Sequence, residues 1–169
     1  MLIDCSYFTK GSRKIHNATL GNTIDANSIL VNETIESYIA ENQEMYLSKI
    51  LGASLGNKVN AYLVCLDDDD EPKHNEAFDA VCDRLREPFA DYVFYRILRD
   101  INSKVYITEL VIEKSANTPI SPRRRQVTAW NSMVDKHRLF VAWCQTKECP
   151  LDNISSTYDV LTKINQFNI

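Results

Sequence analysis

Residues 25–51 carry the strongest structural signal in the chain. Apolar side chains recur there at steps of three and four residues, while glutamates fall between them. The apolar positions are Ile35, Tyr38, Ile39, Tyr46, Leu47, Ile50 and Leu51. This spacing is typical of an amphipathic helix that turns one face to a core. Asp25 or Ser28 is suited to cap the start of the helix, and Gly52 to end it.

The same periodicity predicts two further helices before residue 102. Residues 53–66 suit a second, shorter helix, with Gly56 lying within it or just before it. Residues 75–101 again place apolar side chains at helical spacing. Pro88 lies in the middle of that stretch and lacks a backbone donor, so we expect a kink or two abutting helices there.

The C-terminal third predicts two more helices. Residues 121–146 contain a seven-residue apolar repeat, and residues 153–167 carry apolar side chains that suit a final helix. The repeat consists of Val127, Trp130, Val134, His137, Val141 and Cys144.

Between these helical regions, residues 103–118 have a different character. Their apolar residues are β-branched and recur with a period closer to two, which predicts a strand or a hairpin arm. A mainly helical chain offers no obvious sheet for such a strand to join. An unpaired strand edge invites pairing with another chain, so a neighbouring subunit could complete it.

Composition supports a mainly α fold. The chain has 169 residues, four glycines and five prolines, which favour one domain built from long helices. We therefore expect a bundle of about four to five helices with a small β arm. Its parts would be an N-terminal arm over 1–24, helices over 25–100, the arm over 103–118 and helices over 121–167.

The five cysteines do not form the pattern of a secreted disulfide framework, which predicts reduced thiols. The sequence starts with no basic leader before an apolar run, so no signal peptide is expected. No stretch of about 18 apolar residues is present, so no membrane span is expected.

Charge is unevenly distributed along the chain. The net charge of −4 argues against general affinity for nucleic acid. An acidic run at residues 67–71, expected to be a loop, contains Asp67, Asp68, Asp69 and Asp70. Ser121 and Pro122 suit the start of a helix, yet Arg123, Arg124 and Arg125 follow where the helix dipole disfavours cations. These charged groups are candidate interface residues, and solvated, idle surface is the alternative.

Sites for chemistry are weakly indicated. The nucleotide-binding, hydrolase and metalloprotease motifs are missing from the sequence, so no catalytic or cofactor-binding residue is assigned. His137 lies in the apolar repeat and is expected to be a hydrogen-bonded core residue. Cys144 and Cys149 lack a second pair for zinc, and the acidic run lacks the pattern of a calcium loop. Trp143 lies off the apolar repeat and is a candidate for a contact surface.

The order of elements resembles the head–tail connector (adaptor) proteins of tailed bacteriophages, including the ring proteins of crAss-like phages. The resemblance covers residues 25–145 and is carried by three stretches, at 35–59, 86–98 and 123–141. Gln43, Tyr46, Leu47, Leu51 and Gly52 match the "Q…YL…iLG" ending of the family's first helix. The acidic run and the end of the chain from residue 144 belong to no motif of the family.

The resemblance implies a structural protein of the virion neck that is made in the host cytoplasm and is not an enzyme. Subunits of the family form a closed ring, commonly a dodecamer, between the portal protein and the next neck or tail protein. Genomic DNA passes through the lumen without sequence-specific binding. Neither a membrane nor a cofactor is implied.

Two expectations about the arginines follow from helix geometry. Consecutive helix positions fan by about 100°, so we expect Arg123 near the apolar face, with Arg124 and Arg125 pointing outward. These arginines would serve an acidic surface of the portal or of the next subunit, and DNA in the lumen is the second choice. A small cytoplasmic regulatory or nucleic-acid-binding helical module is the alternative function.

Overall fold

A computed structural model of the chain describes residues 1–20, 25–68, 74–103, 122–152, 154–165 and 167. Its helices are α1 (Ala26–Leu51), α2 (Ala53–Asp68), α3 (Glu76–Ser103) and α4 (Pro122–Cys144). The prediction of a mainly α helical bundle is confirmed, and the described residues contain no strand. The predicted β arm lies outside the described residues from 104 onward, and its first residue, Ser103, ends α3.

Helix α1 begins and ends where the sequence predicts. The carboxylate of Asp25 accepts a hydrogen bond of 2.9 Å from the backbone N–H of Ser28, which satisfies a donor of the first turn. Gly52 follows the last residue with φ 86° and ψ 152°, a conformation that favours glycine. The chain can therefore turn within one residue and begin α2.

Helices α1 and α2 pack as a hairpin with very close backbones. A Cβ atom added at Gly56 would lie 2.6 Å from the backbone nitrogen of Ser48 and 2.7 Å from the carbonyl carbon of Leu47. Gly56 is thus required where the two helices cross. Further along, the Gln43 amide donates a hydrogen bond of 2.8 Å to Asn60 and accepts one of 2.6 Å from the N–H of Leu2.

Helices α3 and α4 form the other half of the bundle. Pro88 lies inside the single helix α3, so of the two alternatives, a kink or two abutting helices, the second is wrong. Near the C-terminal end of α3, the buried side chain of Gln126 in α4 donates a hydrogen bond of 2.9 Å to the carbonyl of Leu98. Tyr46 of α1 packs on Phe89 and Tyr92 of α3, which joins the two halves.

The N-terminal segment contributes to the core. It contains two short 3-10 turns, Cys5–Phe8 and Gly11–Arg13. Leu2, Ile3, Phe8 and Ile15 are buried. These apolar residues show no helical or strand period, because they anchor separate points of an irregular segment.

The predicted final helix over 153–167 is wrong. Residues 154–165, here called the C-terminal strap, are irregular apart from a 3-10 turn at Asp159–Leu161. Three consecutive residues of the strap satisfy the last carbonyls of α1, which no helical donor can reach. The N–H of Ser155, the hydroxyl of Ser156 and the N–H of Thr157 donate to the carbonyls of Leu51, Ile50 and Lys49, respectively.

The strap also binds α4 through side chains. The indole N–H of Trp130 donates a hydrogen bond of 2.8 Å to the carbonyl of Thr162, and Asn131 forms two hydrogen bonds with the backbone of Ile164. The strap is rich in serine, threonine and asparagine, which are weak helix formers. Hydrogen bonds to α1 and α4 thus replace those of a helix.

Candidate assembly surface

The C-terminal end of α3 and the N-terminal end of α4 meet at an arginine-rich surface, here called the basic end. Its members are Arg96, Arg99, Arg123, Arg124 and Arg125. The bond from Gln126 to the Leu98 carbonyl fixes the two helix ends beside each other. Asp100 lies in the same turn of α3 and accepts a hydrogen bond of 2.9 Å from the hydroxyl of Tyr38. Among the described residues of these two helix ends, five arginines therefore accompany one carboxylate.

Two of the three consecutive arginines, Arg123 and Arg125, point in directions other than those predicted, whereas Arg124 faces outward as predicted. Arg123 and Arg124 are exposed, whereas Arg125 is half-buried. The guanidinium of Arg125 lies 5.4 Å from the ring centre of Phe94, and it donates a hydrogen bond of 3.4 Å to the carbonyl of Ser12. Arg125 thus faces the bundle, and the expectation that Arg123 would do so is wrong, because α4 presents Gln126 and Arg125 to α3.

Arg125 has a structural role. Burial lowers the pKa of its guanidinium, which nevertheless stays charged because arginine is the most basic side chain. Stacking on Phe94 and the bond to Ser12 offset the unfavourable helix dipole. Among the described residues, no side chain makes such a contact with Arg123 or Arg124, and no carboxylate pairs with either one. These two are the arginines that face outward.

The acidic candidates are only partly described. Asp67 and Asp68 end α2, so the acidic run begins as helix and not as the predicted loop. Asp67 is exposed and forms an ion pair with the amino group of Met1. Asp69 and Asp70 lie outside the described residues. Within the described chain, Asp67 makes no ion pair with the basic end.

Trp143 is buried, which contradicts its prediction as a contact-surface residue. The guanidinium of the exposed Arg84 lies 4.3 Å from the centre of its ring, and Phe140 lies on the same helix at 5.9 Å between ring centres. The N-terminal part of α3 therefore covers the indole. A stacked arginine on a tryptophan stabilises the pair by a cation–π attraction.

A buried charge cluster was missed by sequence reasoning. Asp91 of α3 is only 4% exposed and accepts hydrogen bonds from three side chains, one in the N-terminal segment and two in α4. Arg13 binds one carboxylate oxygen at 2.7 Å, while Ser132 and Lys136 bind the other at 2.7 and 2.6 Å. Glu87, one turn earlier, binds Arg13 at 2.8 Å. The cluster joins the N-terminal segment, α3 and α4.

The donors around Asp91 leave it little capacity for chemistry. Burial alone would raise the pKa of Glu87, but the hydrogen bond and charge of Arg13 hold it below its usual range. Burial opposes the charge on Arg13, yet hydrogen bonds to Glu87 and Asp91 raise its pKa overall. Arg13 and Glu87 therefore stay ionised near neutral pH and pair with each other. The cluster is therefore a clamp between elements.

His137 is a hydrogen-bonded core residue, as the apolar repeat predicts. It is fully buried, with Nδ1 at 2.9 Å from the carbonyl of Val160 and Nε2 at 2.7 Å from the hydroxyl of Tyr46. Burial lowers its pKa to about 4. Both ring nitrogens are occupied by protein partners, so His137 is not placed to bind a metal or a substrate.

Open recesses occur on the described surface. One of about 500 Å³ runs along α4 and is lined by residues of that helix alone, including Asn131, Asp135, Lys136 and Leu139. Leu139 is 72% exposed there. An enzyme site usually brings polar groups from several elements into one concave pocket, which this recess does not do.

The described residues meet neither the requirement of a metal site for grouped ligands nor that of a membrane span for a long apolar helix. They contain no group of three or more histidine, cysteine or acidic side chains that could hold a metal ion. None of the helices in the described part of the chain is long and apolar enough to cross a membrane. Comparison of the chain with protein-family models, with curated proteins and with solved structures gave no match.

Proposed function

We propose that this protein is a structural subunit of a bacteriophage virion, a head–tail connector that forms a ring between the portal and the next neck or tail protein. The observation that carries the proposal is the helix hairpin α1–α2 followed by two long helices, which matches the order of the helical elements in the connector pattern. The β-type arm of that pattern lies outside the described residues from 104 onward. Genomic DNA would pass through the lumen without sequence-specific contacts.

The five residues that match the family's first helix all contribute to the packing or the turn of the α1–α2 hairpin. Gln43 ties α1 to α2 and to the N-terminal segment, while Tyr46, Leu47 and Leu51 are core residues. Gly52 makes the turn between α1 and α2. The match therefore falls on residues that shape the α1–α2 hairpin and its packing.

The basic end supplies the contact surface in this proposal. Arg123 and Arg124 are exposed and lack a carboxylate partner within the described chain, so an acidic surface of the portal or of the next subunit can pair with them. Complementary charge of this kind fixes the orientation of subunits more than it adds affinity. The predicted β arm, residues 103–118, ends five positions before Arg123 in the chain.

The same arginines favour a second candidate, a small helical nucleic-acid-binding module, because phosphate groups also bind unpaired guanidinium groups. The test is co-expression with the portal protein of the same genome, followed by affinity purification and negative-stain microscopy. The connector proposal expects a ring of this chain on the portal. Absence of portal binding, together with DNA affinity that falls steeply with salt, would favour the second candidate.

A further inference from the structure

One side of α1 is exposed along most of the helix. Consecutive helix positions fan by about 100°, so Glu33 and Glu44 share this side, whereas Tyr38 and Tyr46 lie on the other side. Both tyrosines contact α3, which places α3 behind the exposed side. The exposed side, here called the outer face, is defined by Ile29, Leu30, Glu33, Ala40, Glu41 and Glu44.

The carboxylates of the outer face lack cationic partners. Glu33, Glu41 and Glu44 form no ion pair with any described residue. Carboxylates elsewhere in the described chain commonly pair with a lysine or an arginine, as do Asp83, Glu87, Asp91, Asp135 and Asp159. The described part of the chain therefore leaves the negative charge of the outer face without a counter-charge.

The basic end presents the opposite charge in a similar state. Arg99, Arg123 and Arg124 are exposed there, and none of them pairs with a carboxylate among the described residues. The outer face points away from α3, which carries Arg99. The two sets of charges thus lie on different surfaces of one chain.

We propose that the outer face of α1 is the docking surface for the basic end of a second copy of this chain. The inference rests on the proposed function, because it names the partner of the basic end within the proposed ring. Each copy in such a contact keeps one outer face and one basic end free for its neighbours. Head-to-tail contacts of this kind close into a ring when the rotation between copies allows it.

The dimensions of the two surfaces match. Glu33 and Glu44 are eleven positions apart, which is about 16 Å along the helix axis. The axes of packed helices are about 8–10 Å apart, so the arginines at the ends of α3 and α4 spread over a comparable distance. Ile29 and Leu30 are 41% and 49% exposed, and the aliphatic stems of arginines can cover them. The ion pairs then fix the orientation of the copies.

Sedimentation velocity of the purified full chain, without portal protein, tests the contact. The wild-type chain should associate at low salt and dissociate as salt screens the charges. Glu33→Arg with Glu44→Arg places cations against cations and should abolish the association, as should Arg123→Glu with Arg124→Glu. All four substitutions together restore opposite charges at every contact and the wild-type net charge of −4, so association should return.

The matched control is Glu148→Arg with Asp152→Arg. It changes two exposed carboxylates elsewhere, moves the net charge from −4 to 0 as the α1 variant does, and should associate like the wild type. A wild-type chain that stays monomeric at low salt would overturn the proposal, and so would a four-substitution variant that melts like the wild type but does not associate.

The outcomes also separate this contact from the proposed function. If Glu33→Arg with Glu44→Arg still associates, the contact between copies lies elsewhere and the proposal is wrong. Loss of portal binding by that same associating variant would make the portal the occupant of the outer face. Self-association with the expected charge dependence, but without portal binding by the wild type, would contradict the proposed function and support the contact.

Discussion

The hydroxyl of Tyr46 in α1 donates a hydrogen bond of 2.7 Å to Nε2 of His137 in α4, 91 positions later in the chain. The direction of this bond follows from the hydrogen bond that the other ring nitrogen, Nδ1, makes with the carbonyl of Val160. The carbonyl of Val160 can only accept, so Nδ1 carries the proton and Nε2 offers a lone pair. One imidazole therefore links α1, α4 and the C-terminal strap.

Removal of the Tyr46 hydroxyl should destabilise the fold. Tyr46→Phe leaves Nε2 of the fully buried His137 without a partner, which costs about 1–3 kcal/mol in the free energy of unfolding. Urea denaturation measures the difference. Tyr158→Phe is the matched control, because Tyr158 is 82% exposed and should be neutral. Equal stability of Tyr46→Phe and wild type would show that the bond contributes nothing.

Stability should also depend on pH through His137. Its pKa is about 4 in the folded chain against 6.5 ordinarily, so between these values the unfolded chain binds a proton that the folded chain does not. The free energy of unfolding should therefore fall as the pH drops from 6.5 to 4, by roughly 3 kcal/mol from this residue.

The non-titrating variant His137→Gln isolates this effect from carboxylates that titrate in the same range. Urea denaturation of both proteins between pH 7.5 and 4 should give a smaller pH slope for the variant. Identical slopes would mean that His137 does not titrate differently in the folded and unfolded chains.

The helix crossing at Gly56 gives a steric prediction. Gly56→Ala places a methyl group against backbone atoms of Ser48 and Leu47, which cannot rotate away. The helices must separate, and we expect a loss of about 1–3 kcal/mol despite the better helix propensity of alanine. Ser54→Ala, on the exposed side of the same helix, should be neutral or slightly stabilising in the same thermal melt. A stabilised Gly56→Ala variant would rule out the close crossing.

The Asp91 clamp is predicted to be much stronger than an exposed ion pair. Asp91→Asn removes the negative charge that Arg13 and Lys136 share, and breaking a buried pair of this kind costs about 3–5 kcal/mol. Asp83→Asn, on the same helix, breaks only the exposed pair with Arg86 and should cost less than about 1 kcal/mol. Similar midpoints of urea denaturation for the two variants would contradict this account.

Sequence reasoning succeeded where the signal was periodic. The apolar stripe of α1, its cap at Asp25, its end at Gly52 and the core position of His137 all follow from spacing or from local chemistry. The partner of His137 could not be predicted, because Tyr46 comes near it only through the packing of α1 against α4. The burial of Asp91 could not be predicted either, because charged residues on a helix usually face solvent.

The incorrect predictions have a common physical origin. A helical projection of residues 123–125 does not reveal that Arg125 stacks on Phe94. The apolar repeat of α4 likewise does not reveal that Arg84 of α3 covers Trp143. The strap was predicted to be a helix because Ile154, Leu161 and Ile164 are spaced as in one. Its backbone instead satisfies carbonyls at the end of α1, which are 100 or more positions away in the chain.

Assembly through the basic end is the central claim of the proposed function. The most direct test is the double variant Arg123→Glu and Arg124→Glu, co-expressed with the portal protein of the same genome. Its control, Lys58→Glu with Lys147→Glu, changes two exposed cations elsewhere and moves the net charge equally, from −4 to −8. Circular dichroism melts of both variants are the check that each one keeps the fold.

The measurement is the amount of this chain that co-purifies with the portal, with the resulting particles imaged by negative stain. We predict that the arginine variant loses portal binding and rings while its Tm stays within a few degrees of wild type, and that the lysine variant assembles normally. Normal assembly of the arginine variant would contradict the claim.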